Sequence, residues 1–274
     1  MEIKVGGSFM AIKLIAIDMD DTLLDGTLQV SPRTCEAIRK AQEQGVIVTI
    51  ATGRMFASAV TYANKLNIQV PIITYNGGMI RCPISKEIIF QQVIPSDVAG
   101  RIVDFFRKRG WYLQSYLNDQ LYIVECCEEA KHYEKLTGIQ AIAIGEKFYS
   151  MKHEPNKLLC LAKPEKILEI QKVVKEEFGR EVFVTTSKDI YLELTHPEVT
   201  KGHALAFLAD RLQIKQAEVM AIGDSNNDYP MIEYAGFGVA MGNASERVKG
   251  IAQAVTAHNN AHGVAEAIEK YVLR

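Results

Sequence analysis

Ile12-Lys13-Leu14-Ile15-Ala16-Ile17 runs without a break into Asp18-Met19-Asp20-Asp21-Thr22. A short isoleucine-rich run that stops at acids reads as a buried strand with a polar loop at its carboxyl end. The next segment reads as a helix: Ser31 can cap it, Pro32 suits its first turn and Gly45 follows its last periodic residue. Val46 to Ala51 predicts a second buried strand, ending at Thr52-Gly53-Arg54. A helical stretch to about Leu66 and a strand from Ile72 to Tyr75 follow, the latter halted at Asn76-Gly77-Gly78. Strand, helix, strand, helix, strand implies an α/β fold with a Rossmann-like parallel sheet.

The pattern resumes near the end of the chain. A helix-like stretch from Lys201 to Leu212 leads into Val219-Met220-Ala221-Ile222, which stops at Gly223-Asp224. Phe237 to Met241 is another apolar run, and a helix from about Val264 to Tyr271 closes the chain. Between the halves the runs are shorter, more amphipathic and richer in aromatics. Strand-like pieces occur at Glu87 to Val93, Leu121 to Glu125, Leu158 to Ala162, Val182 to Thr185 and Ile190 to Leu194. Helix-like pieces occur at Asp97 to Lys108, with Ser96 as cap, and at Glu165 to Phe178. About 110 residues of this texture is the usual size of a domain. The expected organisation is an extension at 1–9, a core formed by 10–84 and 195–274, and an inserted α+β domain at 85–194.

With 274 residues, 48% hydrophobic and 23% charged, the composition is that of an ordinary globular protein. The net charge of −2 favours neither nucleic acid nor an anionic membrane as partner. No apolar stretch approaches the ~20 residues that cross a bilayer, and 1–9 lacks the apolar centre of a signal peptide. Five cysteines without a C-x-x-C pair suggest reduced thiols and a cytoplasmic location, with Cys126-Cys127 read as packing groups.

In an open parallel sheet, ligands bind beyond the carboxyl ends of the strands. Those ends here carry Asp18, Asp20 and Asp21, then Thr52, then Asp224 with Asn227 and Asp228, and Lys201 opens the helix leading into the last of them. Carboxylates gathered in one place repel one another, and a hard divalent cation such as Mg2+ relieves that conflict. Thr52 and Lys201 suit the oxygens of a phosphoryl group. Acids, Mg2+, hydroxyl and lysine together describe a phosphoryl-transfer site. Alone, Asp18 to Asp21 would pass for a polar turn.

Asp18-Met19-Asp20-Asp21-Thr22-Leu23-Leu24 resembles the D-x-D-x-T-L signature of the haloacid dehalogenase-like phosphatases. Thr52 in Ala51-Thr52-Gly53-Arg54, Lys201 in Thr200-Lys201-Gly202, and Gly223-Asp224-Ser225-Asn226-Asn227-Asp228 resemble that family's remaining motifs, in its order. Tyr75-Asn76-Gly77-Gly78, Met241-Gly242-Asn243-Ala244 and Asn259-Asn260 are similar to features of its Cof-type branch. That branch carries a large α/β cap, type IIB (C2B), between the second and third motifs, where the inserted block lies here. Asp21 departs from the pattern, standing where glycine is most frequent.

The resemblance implies a Mg2+-dependent phosphatase of small phosphorylated metabolites. Asp18 would be the nucleophile that forms an aspartyl-phosphate, and Asp20 the acid for the leaving alcohol and then the base for water. Asp18, the backbone carbonyl of Asp20 and Asp224 would hold the metal, with Asp228 orienting its waters or Lys201. Thr52, the amides of Met19 and Gly53, Lys201 and Asn227 would hold the transferring phosphate. A phospho-receiver signalling protein shares most of these groups, but it needs only about 120 residues and lacks the second acid. A phosphomutase of the same superfamily would carry a small helical cap after the first motif, and the short connection from Leu24 to Ser31 has no room for one.

Other features are weaker. Gly236-Phe237-Gly238 with Gly242 lacks the dinucleotide-loop spacing, and His258 and His262 flank a turn and read as exposed. Trp111, Tyr112, Tyr116 and Tyr122 read as core packing or pocket lining, and Arg54 and Arg81 as substrate contacts or surface ion pairs.

Overall fold

The computed structural model describes residues 3–5, 8–150 and 154–273. Its centre is a five-stranded parallel sheet ordered Ala254–Val255, Phe237–Ala240, Val219–Gly223, Leu14–Ile17, Ile47–Ile50. Leu14, Ile15, Ala16 and Ile17 are all buried, as a strand covered on both faces requires. Truncating an isoleucine in such a core to alanine costs about 2–5 kcal/mol.

Register explains why the acids converge. Ile17 pairs with Ile222 on one side and with Ile50 on the other. Asp18 N–H then donates to the Ile222 carbonyl at 3.0 Å, so the strand ends carrying Asp18, Thr52 and Asp224 finish side by side. The helices at Pro32–Glu43, Phe56–Lys65, Lys201–Arg211 and Gly263–Tyr271 are the expected ones. Ser31 caps the first as read from sequence, accepting from Thr34 N–H, and Gly45 leaves it at φ +82°.

Ile72–Thr74, Met79–Arg81 and Ile88–Gln91 form an antiparallel three-stranded sheet, joined to the parallel sheet by a bridge from Ala51 to Ile73. Its pairing therefore crosses the expected boundary at 84/85. The rest of the insert builds a six-stranded sheet ordered Ala141–Ala143, Gln120–Ile123, Gln114–Leu117, Lys157–Leu161, Tyr191–Thr195, Phe183–Thr185. Alternation splits the strands Lys157–Leu161 and Tyr191–Thr195 between two cores. Leu158, Cys160, Leu192 and Leu194 pack with the helices Ser96–Arg109 and Pro164–Phe178, whereas Leu159, Leu161 and Tyr191 join the core of the parallel sheet. By the same parity Lys157 and Glu193 belong to the face turned toward the strand ends.

Several local expectations change. Pro95, not Ser96, stands at the cap position of its helix, because Ser96 already has helical geometry. Cys126 is exposed in the loop before the helix Glu128–Thr137, so packing does not explain it. Residues 3–5 and 8–10 pair as a two-stranded sheet of their own. No helix among the described residues is long and apolar enough to cross a membrane.

Candidate active site

The loop after the central strand coils tightly, with Leu23 and Leu24 N–H donating to the carbonyls of Asp18 and Met19 at 3.2 and 2.9 Å. Asp20 is extended (φ −75°, ψ 128°) and Asp21 is left-handed (φ 59°, ψ 11°). The left-handed region explains the glycine usual in this motif, and aspartate is among the few side chains that tolerate it. Asp21 points outward, its Oδ2 3.5 Å from Lys188 Nζ. The Cof-type features support this loop from below. Asn243 Nδ2 donates to the Asp21 carbonyl, Asn259 Nδ2 to the Leu24 carbonyl, and Asn260 Oδ1 accepts from Gly26 N–H.

Lys201 Nζ is buried between two carboxylates, 2.5 Å from Asp18 Oδ1 and 2.6 Å from Asp228 Oδ1. Asp228 Oδ2 accepts from the N–H groups of Asp224 and Ser225 at 3.0 Å each. Asp224 accepts from the Thr22 and Ser225 hydroxyls at 2.8 Å. Burial works against the Lys201 charge, but Asp18 and Asp228 outweigh it and hold its pKa above the ordinary lysine value. Burial, then the Asp228 charge, raises Asp18 well above the carboxylate range, although Lys201 opposes this. The same two causes push Asp224 up to about 7. A Lys201→Met variant strands two buried carboxylates and should lose about 3 kcal/mol or more of stability at neutral pH, read by urea unfolding in chelator. A loss near zero would mean that this lysine does not balance them.

Oxygens of Asp18, Asp224 and Asp228 lie within 4.8 Å of one another. Three buried carboxylates share one ammonium, so the cluster is short of positive charge and its all-oxygen donors suit a hard divalent cation. Asp228 is the least free to bind one, since its oxygens already take the Lys201 ammonium and two backbone N–H groups, whereas Asp224 takes only two hydroxyls, which can turn away. Asp18 and Asp224 carry the strain that a cation would relieve.

Asp20 is bound through both oxygens to Arg54, whose Nε and Nη2 donate at 2.9 and 2.6 Å. Burial raises the Asp20 pKa, but the Arg54 bonds and charge outweigh it and leave the carboxyl below its ordinary value. Arg54 is therefore no surface residue. It is buried against Ser58 and Tyr62, and its N–H donates to Thr52 Oγ1 at 3.1 Å. Asn227 Nδ2 donates to Asn76 Oδ1 at 3.0 Å. Met19 is buried, and Gly53 lies at the cavity wall. Of the candidate residues read from sequence, Asp18, Asp20, Gly53 and Asn227 line one cavity, while Lys201, Asp224 and Asp228 are buried around Asp18 and Thr52 is buried behind Arg54.

A cavity of about 70 Å³ lies there, walled by Asp18, Asp20, Arg54 and Asn227 below and by Tyr133, Lys157, Lys188, Tyr191 and Glu193 of the insert above. These upper residues carry no motif, and sequence reading passed over them. The aromatics it singled out lie elsewhere: Tyr116 is core, edge-on to Tyr75 and Tyr133, while Trp111 and Tyr112 line a separate hollow of about 310 Å³ in the insert. His258 and His262 are exposed, as expected, and bind no shared partner.

A parallel sheet whose strand ends gather acids, a lysine and a threonine beneath an inserted sheet defines a phosphoryl-transfer hydrolase with a cap. The haloacid dehalogenase-like hydrolase family matches residues 15–268, and the chain belongs to it, in the Cof-type, subclass IIB branch. It is 31% identical over 264 residues to the 5-amino-6-(5-phospho-D-ribitylamino)uracil phosphatase YcsE of Bacillus subtilis (strain 168), covering 96% of each chain. It is 30% identical over 251 residues to the HMP-PP phosphatase of Serratia proteamaculans (strain 568), covering 87% of each. A haloacid dehalogenase-like hydrolase from Bacteroides thetaiotaomicron has the same architecture, with a TM-score of 0.86, 30% identity, and coverage of 94% of this chain and 99% of that one. The protein is a phosphatase of this superfamily.

Proposed function

We propose that the chain is a Mg2+-dependent phosphatase of small phosphorylated metabolites that works through an aspartyl-phosphate on Asp18. The observation that carries this reading is Asp18 at the end of the central strand, 2.5 Å from Lys201 Nζ and clustered with Asp224 beneath the cavity. Asp18, the Asp20 carbonyl and Asp224 would hold Mg2+, which supplies positive charge where a phosphate dianion must approach carboxylates.

An Asp18 oxygen attacks phosphorus, and the bond from phosphorus to the ester oxygen breaks. Asp20, protonated for this step, gives its proton to the departing alkoxide. As a carboxylate it then takes a proton from water as the water oxygen attacks phosphorus, and the Asp18–phosphorus bond breaks. Thr52, Lys201, Asn227 and the amides of Met19 and Gly53 hold the phosphoryl oxygens, while Asp228 keeps Lys201 in line. Because Arg54 occupies both Asp20 oxygens in this structure, that pair has to open before Asp20 can deliver a proton. The catalytic core is taken as 10–84 with 195–274, and 85–194 as the cap. The Ile88–Gln91 strand is the part of the insert that stays paired to the core.

A small substrate is supported by the cap, which roofs a cavity of about 70 Å³, and by the relatives named above, which carry names of small phosphorylated compounds. The test is phosphate release from p-nitrophenyl phosphate with Mg2+ and with chelator, followed by a screen of phosphorylated metabolites ranked by kcat/KM. Mg2+-dependent release with selectivity for small esters is the expected result. Equal release in chelator would remove the metal from the scheme.

A further inference from the structure

Two charged residues of the cap are buried where no motif calls for them. Lys157, in the strand Lys157–Leu161, and Glu193, in the strand Tyr191–Thr195, are 1% and 3% exposed and pair at 3.2 Å. A buried ion pair is seldom retained for stability alone, since apolar residues of similar size often serve as well. Both of these side chains reach out of the cap and into the core. Lys157 Nζ donates to the Gly53 carbonyl at 2.7 Å, and its charge sits 4.8 Å from the Tyr116 ring centroid. Glu193 Oε1 also accepts from Ser187 Oγ at 3.1 Å, and its Oε2 accepts from Asn76 Nδ2.

Each contact sets the direction of a polar group at the site. The peptide joining Gly53 to Arg54 has its carbonyl held by Lys157 and its N–H on Thr52 Oγ1. A hydroxyl that accepts there keeps its own hydrogen for another acceptor. On the other side, a carboxylate can only accept, so Asn76 must turn its NH2 toward Glu193 and its carbonyl toward Asn227. Asn227 must then turn its NH2 to Asn76 Oδ1, which takes one of its two hydrogens and leaves the other as the donor for a phosphate oxygen, while its own Oδ1, an acceptor, is buried without a partner. Gly53 lets this chain of amides lie against the loop, for a Cβ there would come within 2.8 Å of Asn76 Oδ1.

We propose that the cap ion pair Lys157–Glu193 is a positioning device that orients Thr52 and Asn227 for phosphate when the cap is seated. Lys157 acts through the Gly53–Arg54 peptide and Glu193 acts through Asn76. The inference rests on the reading above that Thr52 and Asn227 hold phosphate. Its consequence is that the phosphate cradle is fully aligned only under a seated cap, so an open enzyme holds phosphate weakly.

The test uses the full chain in Mg2+ buffer, with inorganic phosphate as the probe in calorimetric titration and kcat/KM measured alongside. Lys157→Met and Glu193→Gln should each weaken phosphate binding by about 10-fold. The loss from Lys157→Met should shrink in a Thr52→Val background, and the loss from Glu193→Gln should shrink in an Asn227→Ala background. Additive losses, or a lower melting temperature with unchanged phosphate affinity, would overturn the proposal. If Lys157→Met does not fold, Glu193→Gln, which keeps the side-chain shape, carries the test alone. Phosphate affinity unchanged by Thr52→Val and Asn227→Ala themselves would instead overturn the cradle reading, and this proposal with it.

Discussion

Asp18→Asn is expected to lower phosphate release from p-nitrophenyl phosphate by about 10³-fold or more, because an amide cannot form the covalent intermediate. The fold should survive. Asp18 is a buried acid whose pKa is raised by burial and by Asp228, so in metal-free protein its charge works against the native state. Losing that charge leaves Lys201 still paired with Asp228 at 2.6 Å. The melting temperature of the variant in chelator should therefore equal or exceed that of the parent. A variant that loses activity only together with its fold would not support Asp18 as nucleophile.

Removal of the divalent cation should have the second-largest effect, on activity and on stability together. A ligand that binds only the native state at about 100 times its Kd adds about 2.7 kcal/mol, so Mg2+ should raise the melting temperature and chelator should lower it. The pH dependence has a definite sign. An acid raised on folding binds its proton more tightly in the native state, so its contribution is intact below the ordinary carboxyl pKa and is lost as pH rises through the folded value. For Asp18 and Asp224, both raised, stability in chelator should fall between about pH 4 and the Asp224 value of about 7. Mg2+ should flatten that fall. Melting curves across this range with and without Mg2+ check it, and a flat profile in chelator would show that the three acids are not in conflict.

The chemistry of the core was readable because it sits at strand ends, where a run of buried residues stops at polar ones. Asp18, Thr52 and Asp224 announce themselves in that way, and parallel register then brings them together. Their partners in the cap are harder to read. Lys157 stands just before one apolar run, Leu158-Leu159-Cys160-Leu161, and Glu193 interrupts another, Tyr191-Leu192-Glu193-Leu194, where a charge passes for a strand end or for the exposed face of a half-buried strand. A sheet buried on both faces removes that option, but only the tertiary arrangement reveals it. Period-2 alternation and a charge on the inner face were the available signals. Arg54 was visible beside Thr52, yet its choice of Asp20 over solvent depends on a loop 34 residues away. The Ile88–Gln91 strand was recognised but assigned to the insert, because nothing local tells an edge strand which sheet it will join.

The most direct test of the account is to find where the phosphoryl group rests in mid-reaction. The enzyme would be mixed with p-nitrophenyl phosphate and Mg2+, quenched in acid within a single turnover, digested and examined by mass spectrometry. The account predicts one phosphoryl group on Asp18, absent from the Asp18→Asn protein. Phosphate released in full during that turnover with no phosphorylated peptide, or with the group on another residue, would contradict it.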